Sequence, residues 1–150
     1  MSAPPVILLV EDNADDEELT LRALKKSNIG NKVVVTRDGS AALDYLFARG
    51  AYAGRETREA PQVVLLDLNL PRMDGREVLA QIKANDDLKQ IPTIILTTSE
   101  SEADIVKSYQ LQANCYLTKP VQLDAFEKLV GSINDFWLTK VKLPRQRHGR

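Results

Sequence analysis

Val63-Val64-Leu65-Leu66-Asp67-Leu68-Asn69-Leu70-Pro71 places an aspartate at the end of a four-residue, wholly apolar run. A run this short reads as a strand covered on both faces. Working outward, the same design recurs. Val6-Ile7-Leu8-Leu9-Val10 ends in Glu11-Asp12. The run from Pro92 to Leu96 leads into Thr97-Thr98-Ser99, and Cys115-Tyr116-Leu117 leads into Lys119-Pro120. Lys32 to Thr36 supplies one more strand.

Amphipathic stretches separate the strands. Ala14 to Ser27 reads as a helix with Asn13 as its N-cap and Gly30 as its stop. Asp15, Asp16, Glu17 and Glu18 suit the positive end of its dipole. Further helices are expected over Ser40–Ala48, Gly75–Ala84, Glu102–Gln112 and Leu123–Lys140. The loop from Arg49 to Pro61 is long for an α/β connection. Strands alternating with helices imply an α/β, doubly wound, five-stranded parallel sheet flanked by five helices. Strand order 2-1-3-4-5 fits this length, and ligands then bind at the carboxyl ends of strands one and three.

Composition narrows the chemistry. The 150 residues suit one hydrophobic core, and a formal net charge of -1 gives no general pull toward nucleic acid or membrane. No apolar run approaches the ~20 residues of a membrane span. The first residues lack the basic and apolar pattern of a signal peptide, so a cytoplasmic location is expected. The only histidine is His148, in a polar tail, which removes Ser-His-Asp and Cys-His machinery and the usual zinc ligands. Cys115 is the only cysteine, expected in the core of strand five rather than as a redox sensor.

In this topology Glu11, Asp12 and Asp67 crowd one corner. Like charges so close repel unless a cation intervenes. An all-oxygen set suits Mg²⁺ or Mn²⁺. Taken singly, each residue has a plainer role: Asp12 or Asn13 as a helix cap, Thr97 as an N-cap, Lys119 as a solvated charge. Together they bring an acid cluster, a hydroxyl and a cation to one edge.

These residues, with Met73-Asp74-Gly75, Tyr116 and Lys119-Pro120, resemble a bacterial response-regulator receiver domain of two-component systems, over nearly the whole chain. The resemblance implies a flavodoxin-like receiver fold and a role for each position. Asp67 would be the phosphoacceptor. Asp12 would bind the metal directly, Glu11 mainly through water, and Asn69 through its backbone carbonyl. Thr97 and Lys119 would contact the phosphoryl group, with the Lys119–Pro120 peptide cis. Thr97 and Tyr116 would form the switch. Such a protein is a phosphoacceptor that assists its own phosphorylation and dephosphorylation, not an enzyme. Thr98 stands where many receivers carry a small residue, and is expected to slow loss of the phosphoryl group.

A receiver domain is expected over residues 1–140, with a basic tail over 141–150 and no output module following. Leu123, Phe126, Leu129, Val130, Ile133, Phe136, Trp137 and Val141 fall on one arc of the last helix. The first five are expected to cover the sheet. At ~18 residues that helix would be ~27 Å long, against ~17 Å for a five-residue strand. Its end should overhang, leaving Phe136 and Trp137 as an interface. Phe136-Trp137-Leu138, the long loop and Asn114-Cys115-Tyr116 resemble single-domain regulators paired with bacterial phytochrome histidine kinases. That resemblance implies a phytochrome-type kinase as partner and a homodimer through the strand-five and helix-five face.

Rival readings are a phosphorelay intermediate or phosphate sink, a metal-dependent phosphohydrolase with an aspartyl nucleophile, and an interaction module that carries no phosphate. Haloacid-type hydrolases place a second acid two residues after the nucleophile, where this chain has Asn69.

Overall fold

The computed structural model describes residues 6–26, 32–55 and 60–135. Five parallel strands are present: β1 (Val6–Val10), β2 (Lys32–Thr36), β3 (Val63–Leu66), β4 (Thr93–Thr97) and β5 (Cys115–Thr118). Their order is β2-β1-β3-β4-β5, as expected. The helices are α1 (Ala14–Lys26), α2 (Gly39–Leu46), α3 (Gly75–Ala84), α4 (Glu102–Gln110) and α5 (Leu123–Asp135).

Side-chain alternation along the strands divides the core in two. Leu8, Val10, Val64, Leu66 and Ile95 pack with Ala42, Leu43 and Leu46 of α2 and Val78, Leu79 and Ile82 of α3. Ile7, Leu9, Val63, Leu65, Ile94 and Leu96 face the other way, onto Ala23 and Leu24 of α1 and Phe126, Val130 and Ile133 of α5. Lys26 of α1 also pairs with Glu127 of α5 at 2.8 Å.

Several boundaries differ from expectation, each for a local reason. α2 stops at Leu46 because Ala48 turns left-handed (φ 54°), and Arg55 donates to the carbonyls of Tyr45 (2.7 Å) and Leu46 (3.0 Å). This arginine also packs against the Tyr45 and Tyr52 side of the loop after α2. Its guanidinium lies 4.4 Å from the Tyr45 ring centre, Tyr52 meets Tyr45 edge to face at 5.1 Å, and residues Gly50–Tyr52 form a 3-10 turn. β4 begins after Pro92, which has no N–H to give; the Pro92 carbonyl accepts from Val64 N at 3.0 Å. α4 ends before Gln112, whose φ is 71°.

Two expectations about the chain's second half are corrected. Leu123 does not cover the sheet: it opens α5 and is 64% exposed. No peptide among the described residues is cis, so the Lys119–Pro120 bond is trans, and Lys119 reaches its partners from that geometry. Phe136, Trp137, Val141 and the basic tail lie outside the described residues.

α3 is fastened at its far end. Lys83 Nζ donates to the carbonyls of Lys89 (3.0 Å) and Ile91 (2.9 Å) and to Asn114 Oδ1 (3.0 Å). Burial lowers the Lys83 amine to about 8.

Candidate functional site

The sheet ladder runs one residue past its strands and thereby fixes the acids. Glu11 N donates to the Thr36 carbonyl (3.0 Å), Asp67 N to Val10 (3.1 Å) and Lys119 N to Thr97 (2.7 Å). Glu11, Asp67 and Lys119 thus leave three strands at one edge, with backbone positions set by the sheet rather than by flexible loops.

Gly75 closes the cradle from below. Its N donates to the Leu68 carbonyl at 2.9 Å, and a Cβ there would collide with the backbone of Asp67 and Leu68. The turn between β3 and α3 can sit this close only with glycine at that position. Asp74 caps α3 by accepting from Arg76 N at 2.8 Å.

Carboxylate oxygens of Glu11, Asp12 and Asp67 all lie within 4.8 Å of one another. Glu11 and Asp67 are buried, at 2% and 7% exposed, while Asp12 faces solvent. Lys119, 5% exposed, places Nζ 2.6 Å from Glu11 Oε1, 2.8 Å from Asp67 Oδ2 and 2.9 Å from Asp16 Oδ2. It is not a solvated charge. Burial opposes the ammonium, but hydrogen bonds to Asp67, Glu11 and Asp16 outweigh it and raise its pKa. Burial pushes Glu11 up to about 7, against the pull of Lys119.

The remaining expected residues take the following places. Asn69 is exposed, and its N donates to Asp67 Oδ1 at 3.0 Å. Thr97 ends β4, is fully buried, and its Oγ1 has no hydrogen-bond partner. Ser101, not Thr97, caps α4. Thr98 is exposed. Tyr116 is half-buried, and its hydroxyl donates to the Ser99 carbonyl at 3.0 Å. Asn13 caps α1 as expected, accepting from Asp16 N at 2.9 Å, so Asp12 is not needed as a cap. Cys115 packs against the α1/α5 side of the core, and burial raises its thiol pKa, in keeping with a core residue.

Two features escaped the sequence reading. Asp16 suits the positive end of the α1 dipole, yet it bonds Lys119 at 2.9 Å. Its place three residues after the Asn13 cap was the available signal, since the first turn of a helix following a strand lies beside the strand ends. Arg76 and Asp104 join α3 to α4, and no local pattern connects residues so far apart.

An oxygen-only triad around one buried ammonium fits a hard divalent cation. The Lys119 ammonium lies 2.8 Å from Asp67 Oδ2, and the buried Thr97 hydroxyl at the end of β4 is left without a partner.

Residues 7–131 match the response regulator receiver domain, and the chain belongs to that family. It is 50% identical over 141 residues to response regulator Rcp1 of Synechocystis sp., covering 94% of each chain. Its fold is similar to the structure of the Mn(2+)-bound form of Rcp1, with a TM-score of 0.89, 50% identity, and coverage of 94% of this chain and 99% of that one. It is also similar to the phosphorylated cyanobacterial phytochrome response regulator RcpA, with a TM-score of 0.89, 46% identity, and coverage of 95% and 99%. The protein is a response regulator homologous to those of cyanobacterial phytochrome signalling. Among the described residues no helix is long and apolar enough to cross a membrane.

Proposed function

We propose that Asp67 accepts a phosphoryl group from the phosphohistidine of a phytochrome-type histidine kinase in the cytoplasm. The observation that carries this reading is the convergence of Glu11, Asp12 and Lys119 on the Asp67 carboxylate. In the transfer a carboxylate oxygen of Asp67 forms a bond to phosphorus. The phosphorus–nitrogen bond breaks, and the imidazole nitrogen leaves with the electron pair. Such transfer depends mainly on positioning and charge neutralisation. Lys119 and the Thr97 hydroxyl supply donors to the phosphoryl oxygens.

Asp12, Asp67, Glu11 and the Asn69 backbone carbonyl would hold Mg²⁺ or Mn²⁺. Such an ion, when bound, offsets negative charge on the acids and the phosphoryl group. Thr97 moving toward that group would open space for Tyr116, and the face from α4 to α5 would read the change. Val106 and Tyr109 of α4, Val121 before α5 and Leu123 at its start are exposed apolar residues. The homodimer would form through the β5/α5 face, completed by Phe136 and Trp137. The receiver would span residues 1–140, followed by the basic tail.

Incubation with acetyl phosphate and Mg²⁺, followed by intact mass measurement, tests the acceptor. Wild type is expected to gain one phosphoryl group and Asp67→Asn none; label on the variant would reject Asp67. Sedimentation of Trp137→Ala beside wild type tests the dimer, with dissociation expected.

A further inference from the structure

Asp16 sits outside the acid triad yet bonds the same lysine. An ammonium has three protons to donate. Lys119 commits all three, to Glu11, Asp67 and Asp16. Two of those acceptors belong to the triad, and one of them is the proposed acceptor itself. Their charge and geometry must change when a cation binds or when Asp67 is modified. Asp16 is the one Lys119 acceptor outside the triad.

Asp16 is also well held. Its N donates to Asn13 Oδ1 at 2.9 Å, and its carbonyl accepts from the Thr20 hydroxyl at 2.7 Å. Thr20 is itself fully buried. Lysine has a flexible four-carbon stem, so its ammonium is located by its partners rather than by its own shape. A carboxylate fixed on the first turn of α1 supplies a third direction of restraint.

We propose that Asp16 is a positioning residue: from α1 it holds the Lys119 ammonium against Asp67, so that the lysine is in place for the incoming phosphoryl group. This rests on the reading of Asp67 as acceptor. It assigns Asp16 a role beyond its favourable placement at a helix N-terminus.

The test uses acetyl phosphate at saturating Mg²⁺ and follows the initial rate of phosphoryl gain by intact mass. Asp16→Ala should slow the rate about five- to ten-fold, as expected for loss of alignment at a reacting centre. Asp16→Asn keeps an acceptor oxygen and should stay within about two-fold of wild type. In a Lys119→Met background, Asp16→Ala should cause no further slowing, because coupled residues are non-additive. A purely structural role would slow both backgrounds alike. Alanine is well tolerated in helices, and thermal melting confirms that each variant is folded at the assay temperature. Mg²⁺ affinity should be unchanged in Asp16→Asn.

An unchanged rate in Asp16→Ala, with wild type labelled at Asp67, overturns the inference and leaves the acceptor reading intact. Equal slowing in Asp16→Asn and Asp16→Ala overturns it in favour of a charge effect. Label on Asp67→Asn overturns the acceptor reading, and the inference with it.

Discussion

Arg76 holds Asp104 by two nitrogens on one oxygen: Nη2 and Nε lie 2.6 and 3.1 Å from Oδ1. The other oxygen of Asp104 accepts from the Ser99 hydroxyl at 2.6 Å, and Arg76 Nη1 reaches both oxygens of Asp74 at 2.9 Å. The amino ends of α3 and α4 are thus joined across the loop whose Ser99 carbonyl receives the Tyr116 hydroxyl. Hydrogen bonds from Ser99 and Arg76 hold the Asp104 carboxyl below its usual range.

Removing either partner should loosen that loop. Asp104→Ala is expected to cost about 1 kcal/mol, the scale of a partly exposed charge-assisted pair. Amide exchange over residues 98–104 should accelerate. In a double-mutant cycle with Arg76→Ala the two losses should be less than additive; simple additivity would show that the pair is not coupled.

Glu11 makes stability depend on pH. Its ordinary value of 4.5 is raised to about 7 in the folded protein, mainly by burial. Between these values the folded state keeps a proton that the unfolded state releases, so stability falls as pH rises through the window. Urea midpoints of the metal-free protein should fall from pH 4.5 to 7, and Glu11→Gln should flatten the slope. Parallel slopes would contradict this. Mg²⁺ affinity should rise across the same window, because a cation competes with that proton.

Gly75→Ala forces a methyl group into the backbone beneath Asp67. Overpacking of this kind costs about 1–3 kcal/mol. The phosphorylation rate should drop as well, because the atoms displaced belong to Asp67 and Leu68. A variant with wild-type melting and wild-type rate would show that the turn relaxes freely.

Thr98 follows Thr97 at the carboxyl end of β4 and is exposed. Thr98→Ala should open access to water and speed loss of the phosphoryl group from Asp67. The decay of purified phosphoprotein measures this directly, and equal decay rates would reject a gating role for Thr98.

The strands were legible because a parallel sheet covered on both faces requires short unbroken apolar runs, such as Val63–Leu66. The triad was legible because strand order alone places Glu11, Asp12 and Asp67 together. Helix ends were less so: the stop of α2 depends on Arg55, nine residues beyond Leu46, reaching back to its carbonyls. Asp16, Arg76 and Asp104 were missed for a related reason. Their partners are distant in sequence, and a charged residue on a helix looks the same whether it faces water or a buried lysine. Leu123 was misplaced because a helical arc of apolar residues does not say where the sheet beneath it ends.

The anchoring of Lys83 has a mechanical consequence. Three oxygens from the segment before β4 and from Asn114 hold one amine at the carboxyl end of α3. Sliding α3 along its axis would strip all three bonds at once from a half-buried cation. Tilting about that end preserves them. A displacement beginning beside Asp67 would therefore swing α3 about Lys83, with Arg76 at the moving end in contact with Asp104 of α4.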